Sequence, residues 1–257
     1  MAWTKFPHPD DAYNYTAASL KKAWARLHAG DVEPFPKNAA LVEAWIAFHA
    51  GEFEKAAKLG LAQGPDGYSV ANKATSIYAN YLEKSESKKL KLFEEVAARC
   101  EEQQAAQPKD VAGYYWHAYA LGRYAQGISI VKALSQGIGG KVKASLDMTI
   151  KLAPKHADAH IGLGTYHAEI IDKVGSMIGG LTYGAKKDDG IKFFKQALAL
   201  NPNSAIARVE YANGLVMLEG KKKMNEAVAL YEEAAAHKPL DAMERLDVEM
   251  AKEELED

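Results

Sequence analysis

Four residues have the types and the spacing for metal chemistry: His156, Asp158, His160 and His167. Histidines four apart on a formed helix can share a zinc ion. His156, however, follows Pro154 by only two residues, before a helix is expected to begin, so the pair need not face one way. A structural role is expected for all four, and neither a metal nor a cofactor is expected. The segment GIGGKVKAS has the glycines of a phosphate loop, but its spacing differs and no strand precedes it. The sequence contains no nucleophile elbow and no HExxH, so no catalytic residue is nominated and a non-enzymatic protein is expected.

These residues sit in a chain of 257, of which 48% are hydrophobic, enough for a substantial core. The 32 basic and 34 acidic residues leave a formal charge of -2, which argues against nucleic acid and against a polybasic membrane surface. Cys100 is the only cysteine, so neither an internal disulfide nor a thiolate metal cage can form. No apolar window approaches the ~18 residues of a spanning helix. The opening MAWTKFPHPDDAYNY lacks a charged-then-apolar run. A cytoplasmic location is therefore expected, or a periplasmic one if an export signal has been removed.

Helical periodicity dominates. Leu20, Trp24 and Leu27 mark one helix within 11–30, and Leu41, Trp45 and Phe48 another within 38–51. Further helices are expected over 68–82, 88–106, 111–125, 141–152, 204–219, 224–237 and 241–255. No segment alternates with period two, so an all-α chain of helical hairpins is expected. Pro108, Pro154, Pro202 and Pro239 close successive pairs. Before them stand, at matching offsets, a large and then a smaller residue: Leu146 and Thr149, Phe194 and Ala197, Tyr231 and Ala234. The small residue lets two helices approach and the large one fills the space between them. Leu163 and Gly164 play the same roles in a first helix.

This pattern resembles the tetratricopeptide repeat, a helix–turn–helix with a period of about 34 residues. The resemblance implies a right-handed α-solenoid over 1–257, with degenerate repeats in 11–108 and clearer ones in 109–239. Residues 240–257 would form a C-terminal capping helix. It also puts His160 where such repeats carry a packing aromatic. Between Tyr114 and Leu218, the order of an aromatic helix, an insertion, LAPKHADAHIGLG, a second insertion and FFKQALALNP is similar to the regulator of microtubule dynamics family. It is similar too to bacterial tetratricopeptide proteins that accompany solute-binding transporters. Both resemblances imply a non-enzymatic interaction protein.

In such repeats the first helix of each unit lines the concave groove. That implies Asn72, Ser76 and Asn80, then Tyr115, Tyr119 and Arg123, then Ile161, Thr165 and Glu169, and finally Val209, Asn213 and Met217. The expected occupant is a peptide or protein partner, with a small hydrophobic ligand handled by a transport accessory as the alternative. The extra residues fall in apolar, glycine-rich insertions at 126–140 and 173–189, where Ile138-Gly139-Gly140 recurs as Ile178-Gly179-Gly180. Either the two insertions pack along one edge of the solenoid, or Ile138, Met177, Ile178, Leu181 and Tyr183 form an apolar rim for a partner, a ligand or a second copy.

Overall fold

The computed structural model describes residues 3–256. Its helices run in order α1 Ala17–Leu27, α2 Ala39–His49, α3 Phe53–Leu61, α4 Tyr68–Tyr81, α5 Glu86–Ala106 and α6 Val111–Ile128. There follow α7 Ile130–Ser135, α8 Ile138–Leu152, α9 Ala157–Tyr183, α10 Lys187–Leu200, α11 Ala205–Glu219, α12 Met224–Ala235 and α13 Ala242–Glu256. The fold is all-α, as expected.

One local device starts many of the inward helices. Pro36, Pro108, Pro154, Pro202 and Pro239 each stand two residues before a side chain that caps the next helix. Asn38 accepts from the Ala40 amide, Asp110 from Ala112, His156 from Ala159 and Ser204 from Ala207. Asp241 accepts from the Glu244 amide at 2.8 Å. The proline stops the outgoing helix and the cap satisfies an orphan N–H of the incoming one. Each turn is thereby fixed by a few local residues.

The hairpins α2–α3, α4–α5, α6–α8, α9–α10 and α11–α12 stack in sequence, and α13 caps the last. Phe194 of α10 is fully buried between α9 and α11. A Cβ added at Gly164 would lie 2.7 Å from its ring, and one at Gly214 would overlap the ring more deeply still. Only glycine lets α9 and α11 close on that ring.

Two sequence expectations shift. The first helix is shorter than 11–30, because Thr16 and Ser19 form a reciprocal cap that starts it at Ala17. The insertions are helical: α7 occupies the first, while α9 runs through the second to Tyr183. Gly175, at φ 80 and ψ 158, breaks the course of α9, a conformation that glycine adopts at little cost.

The array also closes on itself. The Tyr15 hydroxyl donates to the Leu240 carbonyl at 2.9 Å, and Arg26 pairs with Glu244 at 2.6 Å. A buried chain joins α1, α2 and α13. His28 Nδ1 lies 2.9 Å from Asp31, His28 and His49 approach Nε2 to Nε2 at 3.3 Å, and His49 Nδ1 lies 2.7 Å from Asp241. Lys73 of α4 adds an ion pair to Asp31 at 2.6 Å. Among the described residues, no helix is long and apolar enough to cross a membrane.

Candidate binding cavity on the concave face

The inward helices α4, α6, α9, α11 and α13 surround a cavity of about 150 Å³. A cavity of that order holds a single aromatic ring in other proteins. Its aromatic walls are Tyr81 from α4, Tyr115, Trp116 and Tyr119 from α6, and Tyr166 from α9. The first insertion supplies Ile130, Ala133 and Leu134, so one face of α7 turns inward and becomes cavity wall, while Val131 stays 55% exposed. The polar lining is sparse and mostly charged.

Arg123 Nη2 pairs with Glu210 at 2.7 Å, and Thr165 donates to the other oxygen of that carboxylate at 3.1 Å. The guanidinium also lies 5.3 Å from the Tyr119 ring centre. Burial works against the charge on Arg123, but the Glu210 carboxylate outweighs it and holds the group well above its ordinary range. Asp158, at the start of α9, is different. Burial pushes its carboxyl up to about 7, Asp31 adds to the rise, and Lys73 offsets only part of it. Asp247 of α13 accepts from the Tyr81 hydroxyl at 2.5 Å. Burial still drives it to about 8, against that hydrogen bond and with help from Asp241, Glu244 and Asp158.

The structure brings together Tyr115, Tyr119, Arg123, Ile161, Thr165 and Glu169 of the expected groove, all of which face the cavity. The others fall elsewhere. Asn72 and Ser76 are fully buried, because α4 is covered by its neighbours. Asn72 braces α5, donating to Gln103 at 3.2 Å and accepting from Arg99 at 2.9 Å. Asn80 is partly buried outside the cavity lining. Asn213 accepts from the Tyr231 hydroxyl inside the α11–α12 hairpin. Val209 is fully buried within the C-terminal core, and Met217 packs on the main one.

The rim divides too. Met177, Ile178 and Leu181 project outward, Leu181 being 85% exposed. Ile138 and Tyr183 are instead partly buried and packed on the core. The Tyr183 carbonyl accepts from the Tyr166 hydroxyl at 3.1 Å, which folds this end of α9 back. The histidines serve the backbone. His156 caps α9, His160 Nε2 lies 3.2 Å from the Pro154 carbonyl, and His167 accepts from the Lys186 amide at 2.9 Å.

Tyr81, Trp116, Glu210 and Asp247 are cavity residues that the groove offsets miss. The cavity acids share a local pattern, and Glu169 of the expected groove has it too, between Ala168 and Ile170. Asp158 lies between Ala157 and Ala159, Glu210 between Val209 and Tyr211, and Asp247 between Leu246 and Val248. The pattern is not sufficient by itself, since Glu43 lies between Val42 and Ala44 on α2 and is exposed.

No family model matches the sequence, and no curated protein matches it in a sequence search. Among solved structures, a thermophilic TPR protein of Thermus thermophilus is similar, with a TM-score of 0.57 and 19% identity over 83% of this chain and 97% of that one. Hairpin stacking, the large-and-small packing around Phe194 and this likeness agree. The chain has the tetratricopeptide-like helical-repeat fold.

Proposed function

We propose that this protein is a non-enzymatic interaction scaffold whose concave cavity receives a bulky side chain from a peptide or protein partner. One observation carries the reading. Residues from α6 and α9 expected to face a groove converge, with Tyr81 and Asp247 across from them, on a single aromatic-walled cavity. Such walls give large contact area at low entropy cost. The space suits one inserted group better than an extended strand of peptide.

A second reading is a carrier for a small apolar ligand, as a soluble accessory to transport. It is favoured by the way α4 and α13 meet through Tyr81 and Asp247, which narrows the groove.

Gly122 provides the test, because it lines the cavity and a Cβ placed there would meet open space. Gly122→Phe should fill the cavity without disturbing the helices. Affinity purification from the native host, with native mass measured alongside, should yield a stoichiometric partner with the wild type and about tenfold less with the variant. Equal capture by a folded variant overturns the reading. A small added mass that the variant loses favours the second reading.

A further inference from the structure

We infer that the group taken up by the cavity carries a positive charge, an ammonium on an apolar or aromatic stem. This rests on the cavity being the binding site. The first support is a pairing of charges. Arg123 is held by Glu210, Lys73 by Asp31 and Arg26 by Glu244. Of the remaining acids of the cavity wall, Glu169 accepts from the Gln126 amide at 3.0 Å and has Lys173 near it, which leaves two. Among the described residues, the Asp158 side chain has no hydrogen bond and no ion pair, and Asp247 has only the Tyr81 hydroxyl.

Geometry explains why Asp158 stands alone. Its amide donates to the Gly30 carbonyl at 3.1 Å, which fixes the start of α9 against the segment after α1. The carboxylate lies where a Cβ on Gly30 would be, and its remaining exposure opens on the cavity. Lys73, the cation that acts on it, is already bound to Asp31. A half-buried carboxylate without a partner is costly, and a cation brought by a ligand relieves that cost in the bound state alone. Burial marks the same two groups, with Asp158 pushed up to about 7 and Asp247 to about 8.

The rest of the wall selects the kind of cation. Tyr115, Trp116 and Tyr119 line the cavity, and aromatic rings attract cations when water is excluded, as Arg123 beside Tyr119 and Lys73 beside Trp116 already do. A hard metal ion needs about six or more oxygen ligands. Ile130, Leu134 and Ile161 supply none. An anion would meet Asp158 and Asp247, and the guanidinium that could hold it is engaged by Glu210. An ammonium has three donors and no acceptor, which suits carboxylates that lack a cation.

The test is calorimetric titration at about pH 8, where both carboxylates are ionised or readily become so. The probes are 2-phenylethylammonium, 2-phenylethanol and 3-phenylpropionate, which share a stem and differ in charge. The ammonium should bind at least about tenfold more tightly than the alcohol, as a charged hydrogen bond implies, and the carboxylate should not bind. Asp158→Asn and Asp247→Asn, which keep shape and fold, should each erase most of that preference. A blocked peptide, acetyl-Phe-Lys-amide, distinguishes the sources. Tighter binding than the free amine identifies a partner's lysine, and weaker binding a free amine. An alcohol that binds as well as the ammonium overturns the inference while leaving the cavity reading intact. A preference unchanged in both Asn variants, or no ammonium binding, also overturns it. Ammonium binding that survives Gly122→Phe removes the cavity reading itself.

Discussion

Replacing Asp158 by Asn should make the protein more stable, and the gain should depend on pH. A carboxyl group that titrates near 7 in the native protein and near 3.8 in the unfolded chain holds its proton more tightly when folded. Between about pH 4 and 7 the native state therefore carries a proton that the unfolded chain has lost, and stability falls as pH rises through that window. Above about pH 7 the whole cost is present. At about 1.4 kcal/mol per decade, roughly three decades amount to about 4 kcal/mol. Hydration from the cavity side reduces this to about 2–3 kcal/mol. Asp31 and Lys73 are the charged groups that act on Asp158, and neither changes in the variant. Urea unfolding of both proteins from about pH 5 to about pH 8.5 gives the difference curve. It should already be roughly a third of its full size at the acid end and reach about 2–3 kcal/mol in favour of Asn at the alkaline end. A flat difference, or an Asn variant less stable at high pH, would refute the account of a half-buried, unpaired carboxylate.

Two further outcomes test the packing and the charge pairing. Gly214→Ala should destabilise the protein by about 1–3 kcal/mol, because the new methyl overlaps the Phe194 ring. Pairing it with Phe194→Leu should recover part of the loss in urea unfolding, and an unaltered midpoint in the single variant would contradict the close approach. Arg123→Ala should cost about 3–5 kcal/mol by stranding the Glu210 carboxylate. Adding Glu210→Gln should restore much of it, and additive losses in the double variant would count against the pair.

The repeat was readable because its determinants are local. A proline, a cap two residues later and large or small residues at fixed offsets specify each hairpin within a short window, and Phe194 with Gly164 behaves as that pattern requires. The cavity was half readable. Tyr115, Tyr119 and Arg123, taken from groove offsets, line the cavity, since α6 is an ordinary inward helix. They failed at Asn72 and Ser76, on a helix its neighbours cover, where Gln103 and Arg99 of α5 claim the Asn72 amide. They failed also at Asp247, whose meeting with Tyr81 spans most of the chain and leaves no periodic trace. The insertions misled for another reason. Apolar content alone does not say whether a segment turns inward, as Leu134 does, or outward, as Leu181 does.

Closure of the array between Tyr15 and Leu240, Arg26 and Glu244, and His49 and Asp241 has a consequence for how such a chain can grow. An open stack of repeats gains or loses a unit at little cost, since each unit touches only its neighbours. A hoop cannot. One more hairpin would move α13 out of reach of α1 and α2, and one fewer would drive them together, so the number of units is set by circumference. New material can enter only within a unit, between its two helices. Both insertions are found there.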